Sequence, residues 1–245
     1  MPIAHSPNNN GIPHDLVKHL KDVAKQAKGF AGKFGAADLG YWTGLWHDLG
    51  KFNPDFQEYL KAQNEARPTS KVPHAIWGAL LAYRLLLQFR LPWEEIVLPI
   101  AGHHAGLKDP GYLLGQMEEK AQTAEGKSLL LLVRDAARNL PQPKVKSVSR
   151  SDTRRELFIR ILFSAMVDAD YLDTESHFNP AHTSLRSATV NLQSLWEKFQ
   201  RKQGAFLQNL RDRKETPVNR VRREVYENCL RAAKGPEGVY RLTVP

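Results

Sequence analysis

One cysteine, Cys229, stands among 245 residues. That excludes a disulfide framework and a zinc site built from thiolates, and it fits a reducing, cytoplasmic compartment. No apolar run approaches the ~20 residues that a membrane span requires. The opening segment MPIAHSPNNNGIP lacks the apolar stretch of a signal peptide. Strand patterning is confined to the terminal GVYRLTVP, and there is no internal repeat or low-complexity tract. Negative charge is scarce: 26 Asp and Glu stand against 35 Lys and Arg, a net +9 that favours a polyanionic partner. With 42% hydrophobic and 25% charged residues the chain reads as globular rather than disordered. At this length it buries about 70–75% of its unfolded surface without staples.

Helical periodicity is plentiful. Residues 1–13 carry Pro, Asn and Gly without a period and read as a flexible or locally docked arm. Leu16, Val17, Leu20, Val23, Ala24 and Ala27 predict a helix from Asp15 to about Ala27. Further helices are predicted over 36–49, over 54–60 behind an Asn53 cap with Pro54 at its first position, and over 74–86, 94–101, 111–123, 125–139, 152–172 and 184–210. A last one runs from Pro217 to about Ala233 behind Thr216, and 139–152 is the clearest connector. The reading is an all-α bundle of about ten helices over residues 14–235. A lone strand needs a sheet, so residues 236–245 are expected to begin a further domain, with the natural chain continuing past Pro245.

Within these helices lie histidines and aspartates in suggestive pairs. His47 and Asp48 are adjacent, as are His103 and His104; His19 sits in a helical stretch, His74 starts a helix, and Asp168 and Asp170 lie in the apolar FSAMVDADYLDTE. Imidazole and carboxylate together suit divalent transition metals. A His-Asp pair at a helix end can place a nitrogen and an oxygen on one cation while the carboxylate bridges to a second. A buried aspartate in an apolar helix is costly unless paired or bound to a cation. Each signal alone has an ordinary explanation, since a lone histidine at a helix start is commonly a cap or a surface residue. Their joint presence is hard to explain as surface decoration. His5, His14, His177 and His182 read as surface or cap residues, and Trp46 and Trp77 as core.

In the order KHLKDVA (18–24), GLWHDLGKF (44–52), VPHAIWGA (72–79), IAGHHAGL (100–107) and LFSAMVDADYLDTE (162–175), the chain resembles the HD phosphohydrolase superfamily. More closely, it is similar to the HD nuclease domain of the CRISPR-associated nuclease-helicase of type I systems, from about His14 to Pro245. The resemblance implies an HD-domain helical bundle holding two divalent metal ions. His19, His47, Asp48 and Asp170 would hold one; His74, His103 and His104 would hold the other, with Asp48 shared. The family's Ala-Asp-aromatic pattern favours Asp170; Asp168, on a different helix face, stays open as the alternate ligand or as a partner orienting a histidine. Mixed ligation favours manganese, nickel, cobalt or iron and leaves magnesium open. His47, Asp48 and Lys51 would be catalytic, with Lys51 one helical turn past His47 and reaching the scissile phosphate. GVYRLTVP matches the strand that in this family runs into the helicase's phosphate loop, but no G-x-x-x-x-G-K-[ST] follows, so no ATPase activity is expected.

The implied activity is metal-dependent hydrolysis of single-stranded DNA, endonucleolytic and exonucleolytic, in antiviral defence. The implied partners are a helicase domain of the same chain and an RNA-guided surveillance complex; no membrane is expected, and the default state is a monomer. Charge is distributed in keeping with this. Residues 201–234 carry a net +6 and 141–160 a net +4, and Lys144, Lys146, Arg150 and Lys51 are the candidate substrate contacts. An HD phosphohydrolase of nucleotides or cyclic dinucleotides would explain the ligands but not the basic segments. A non-catalytic scaffold would not need the full ligand set.

Overall fold

Leu16, His19, Leu20, Val23, Ala24, Ala27 and Ala31 line the buried face of helix α1 (Leu16–Gly32), the i+3/i+4 stripe that periodicity anticipates. The fold is seen in a computed structural model, which describes residues 1–64, 72–88, 93–137, 152–186, 190–211, 216–236, 238 and 240–242. Asp15 caps α1 by accepting from Lys18 N at 2.7 Å. Helix α2 (Ala37–Trp46) packs directly on α1 because both present small residues. A Cβ on Gly40 would stand 2.5 Å from Ala27 O, and one on Gly44 would stand 2.8 Å from Ala24 Cα. This close approach brings His19 of α1 beside the end of α2, where His47 and Asp48 follow.

The helix predicted over 36–49 stops at Trp46, and a 3-10 turn (Leu49–Phe52) takes over. Helix α3 (Pro54–Asn64) starts behind Asn53, whose Oδ1 accepts from Asp55 N at 3.0 Å. Helices α4 (Ala75–Gln88), α5 (Glu94–Gly102), α6 (Pro110–Gln122) and α7 (Ala124–Ala137) complete the first half of the bundle. The long α8 (Asp152–Phe178) crosses α1, α2 and α5, and α9 (Pro180–Arg186) follows it. Arg155 pins α8 to α5, donating to Glu95 Oε1 at 3.0 Å and pairing with Glu94. Leu20, Leu45, Trp46, Leu80, Ile96, Ile100, Met117 and Leu162 fill the core. Each such side chain contributes about 1.5–3 kcal/mol relative to exposure.

The N-terminal segment is docked on this bundle. Strand β1 (Ile3–His5) pairs antiparallel with β2 (His14–Asp15), Ile3 N donates to Gln57 Oε1 at 2.9 Å, and Asn8 Nδ2 donates to His177 O at 3.1 Å.

The chain divides into two units, Met1–Ser187 and Ala188–Pro245. The second unit holds α10 (Leu192–Arg211) and α11 (Pro217–Ala232), the latter capped by Thr216 as anticipated. The single helix expected over 184–210 is therefore two, α9 and α10. Among the described residues the fold is all-α, with eleven α-helices and one two-stranded ribbon. No described helix is long and apolar enough to cross a membrane. Of the expected terminal strand, residues 237, 239 and 243–245 lie outside the described residues, and 238 and 240–242 form no strand. The 139–151 connector, with Lys144, Lys146 and Arg150, also lies outside them.

Candidate metal centre

Five segments deliver the seven expected ligands to one place. His47 and Asp48 leave the C-terminal end of α2, His103 and His104 leave the end of α5, His74 precedes α4, and His19 and Asp170 come from the buried faces of α1 and α8. Gly50 makes this convergence possible: a Cβ there would lie 1.9 Å from His74 O, so only glycine lets the turn after Asp48 press against the backbone of His74.

Asp48 is the hub, and its two oxygens face different groups. Oδ2 lies 3.5 Å from His19 Nε2 and 3.3 Å from His47 Nε2, while Asp170 Oδ1 is 3.4 Å and 3.5 Å from the same two nitrogens. This is the inner cluster. Oδ1 lies 3.2 Å from His74 Nε2 and 3.3 Å from His103 Nε2, and His104 Nε2 is 2.9 Å from His74 Nε2. This is the outer cluster. His19, His47 and Asp48 are sealed from solvent, whereas His104 is exposed.

The atoms that converge are the ones without hydrogen bonds. His19 Nε2, His47 Nε2, both Asp48 oxygens, His103 Nε2 and Asp170 Oδ1 are all buried and lack a hydrogen-bond partner. Native interiors leave only a few such atoms orphaned per hundred residues. Six in one place fit a cation that takes their lone pairs. The spacing fits too, since ligands bound at about 2.0–2.2 Å in tetrahedral geometry stand about 3.4 Å apart. The opposite ring nitrogens are fixed in readiness: His47 Nδ1 donates to Gly44 O and His103 Nδ1 to Ile100 O, each at 2.7 Å.

Without metal the two clusters carry different charge. Burial opposes protonation of His19, but the Asp170, Asp173 and Asp48 carboxylates beside it override that and raise the ring to about 10. Burial likewise opposes charge on His47, and the Asp48 and Asp170 carboxylates raise it to about 9. Burial works against ionised Asp48 and Asp170 as well, yet the surrounding cations, Lys51 and His47 first for Asp48 and His47 and His19 for Asp170, hold both below the usual carboxylate range. In the outer cluster, burial and the neighbouring His103 and His74 lower His104 to about 4, and burial outweighs Asp48 to lower His74. Metal entering the inner cluster must therefore displace protons.

Asp170 joins the centre, and Asp168 does not; Asp168 is exposed on the far side of α8. Lys51 reaches the centre by a different local route from the one expected. Because α2 ends before it, Lys51 is carried inward by the 3-10 turn, is 3% exposed, sits 2.5 Å from Asp48 Oδ2 and donates to Ala4 O at 3.1 Å. Its ammonium is thus paired with the shared carboxylate. His14 is not a surface or cap residue but is buried, within 3.2 Å of Asp173 Oδ2. Asp173 was not singled out from sequence at all, although its i+3 spacing from Asp170 puts both on one face of α8.

A helical bundle that gathers imidazoles and carboxylates around one shared aspartate is a scaffold for divalent metal ions. The chain belongs to the HD domain family, matching it over residues 16–138, half of its length. Membership carries metal-dependent phosphohydrolase chemistry. The matched region includes His19, His47, Asp48, His74, His103 and His104, and Asp170 is added from α8 beyond it. No curated protein matches the chain.

Proposed function

We propose that the chain hydrolyses phosphodiester bonds of single-stranded DNA at a two-metal centre, within strands and from ends, in CRISPR antiviral defence alongside a helicase and an RNA-guided surveillance complex. The uneven exposure of the centre carries this reading. The inner cluster is sealed, whereas His104 and the following Ala105 and Gly106 are exposed. A phosphodiester within a long strand reaches such a centre from one side, with no need to thread into a closed pocket.

When bound, two divalent ions supply Lewis-acid polarisation of the phosphate and a water of lowered pKa. Asp48 sets the spacing of the two clusters through its two oxygens, and His47 and His103 hold their Nε2 atoms on it. Lys51 balances the charge of Asp48. The net charge of +9, with exposed arginines and lysines on α10 and α11, suits a phosphate backbone, and Lys144, Lys146 and Arg150 are assigned to the same task.

The test is cleavage of a circular single-stranded DNA by the purified chain, stripped of metal and resupplied with manganese, nickel or magnesium, beside a His47→Ala/Asp48→Ala control. Metal-dependent nicking that the control lacks is the expected result. An intact circle together with metal-dependent release of phosphate from nucleotides or cyclic dinucleotides would replace this reading with the nucleotide phosphohydrolase.

A further inference from the structure

A metal-facing imidazole must place its second nitrogen somewhere, and the centre does this in two ways. His47 and His103 each follow the last turn of a helix and donate Nδ1–H to the carbonyl three residues back. A helix end leaves such carbonyls without amide partners. His19 cannot use this device, because it lies inside α1, where the helix's own amides occupy the carbonyls. Its Nδ1 donates instead to Asp173 Oδ2 at 2.7 Å, on a helix 154 residues further along the chain. Both groups are buried, at 0% and 8% side-chain exposure.

We propose that Asp173, steadied by His14, is the positioning residue of the inner cluster: it fixes the His19 tautomer that presents Nε2 to Asp48 and Asp170, and makes that ring a stronger ligand. The same Asp173 oxygen lies 3.2 Å from His14 Nε2. The His14 ring stacks on His177 at 4.3 Å and 8°, and on His5 at 5.4 Å, so its plane is clamped from both sides. His177 Nε2 in turn lies 3.3 Å from Ser6 O, and His5 Nε2 lies 3.2 Å from Thr174 Oγ1. His5, His14 and His19 are close enough to suggest a further ion. However, His19 already directs one nitrogen to Asp173 and the other to the inner cluster, while the rings of His5 and His14 are stacked rather than convergent. The group is a brace. Because Asp170 and Asp173 share one face of α8, a single helix supplies both a ligand and the carboxylate behind another ligand.

This inference rests on the metal-centre reading and is independent of whether the substrate is DNA. The test is calorimetric titration of the metal-stripped full chain with manganese. The wild type is expected to bind two ions. Asp173→Asn keeps an acceptor but drops the charge, and is expected to weaken one of the two binding steps by about 10–100-fold while leaving the other nearly unchanged. In a His104→Ala background, where the inner cluster is read alone, the same variant should show the whole loss. Asp173→Glu should recover part of it, and the visible spectrum of the cobalt-loaded chain should change for the inner ion only. A purely structural role predicts otherwise: both steps weaken together and the thermal midpoint in chelator falls in parallel. That result, or a titration unchanged from wild type, would overturn the proposal. A wild-type chain that takes up no manganese would overturn the metal centre itself and this inference with it.

Discussion

His19 and His47 are enclosed and each faces the carboxylates of Asp48 and Asp170, whereas His74, His103 and His104 gather around one oxygen of Asp48, with His104 at the surface. The inner cluster concentrates negative charge away from water, so its rings hold protons tightly when no metal is present. The outer cluster is poor in carboxylate, and His74 and His104 are shifted the other way. The two clusters thus differ in charge and in access to water. The difference follows from helix geometry. The inner ligands come from the buried faces of α1 and α8 as well as the end of α2, while the outer ones flank the ends of α4 and α5, and His104 among them reaches solvent.

Replacing the shared residue should erase the contrast and have the largest effect. Asp48→Ala is expected to lose both ions and bring cleavage to background. It also leaves the Lys51 ammonium buried without its partner, a loss of about 3–5 kcal/mol that denaturant unfolding would register. Next in size are the two halves taken singly. Asp170→Ala should remove the ion that survives dialysis, while His104→Ala should remove the one that dialysis already strips, and metal analysis before and after dialysis separates them. The reverse assignment would break the comparison.

Titration of stability in chelator sharpens it further. For the inner histidines the folded values of about 10 and 9 lie above the ordinary 6.5, so their contribution is complete below that value and is lost as pH rises through 9 to 10. For His104 the folded value of about 4 lies below 6.5, so the unfolded chain takes up the proton first and stability falls as pH drops between those values. Asp48, Asp170 and Asp173 are depressed and add a further fall on the acid side. The thermal midpoint should peak between the two limbs. His47→Asn should flatten the alkaline limb and His104→Asn the acid one.

Gly50→Ala forces its Cβ on His74 O and should cost about 1–3 kcal/mol while weakening the outer ion, as a melt and a titration would show. Smallest of all, Asp168→Asn changes an exposed position and should leave metal content unaltered and stability within about 0.5 kcal/mol.

Much of this was legible in the sequence where one element carries the signal. The stripe of α1, the caps at Asn53 and Thr216, and the adjacent His-Asp and His-His pairs are local patterns, and the helices and the grouping of seven candidate ligands followed from them together with the family resemblance. The one-turn argument for Lys51 assumed a continuous helix, whereas the chain tightens into a 3-10 turn after Trp46 and buries Lys51 against Asp48. Asp173 went unnoticed and His14 was read as a surface or cap residue because their significance lies in a contact across more than 150 residues, for which neither flanking sequence carries a mark. The break between α9 and α10 was missed because the residues on both sides are polar enough to continue a surface helix.

The distance along the chain between His19 and Asp173 also has a consequence in time. At about 5–20 residues per second, a ribosome needs roughly 8–30 s to make the 154 residues that separate them. Until α8 emerges, the nascent chain has neither Asp170 nor the brace behind His19, so it holds only the outer half of its chemistry. The candidate metal centre is in this way completed only after most of the chain has been made.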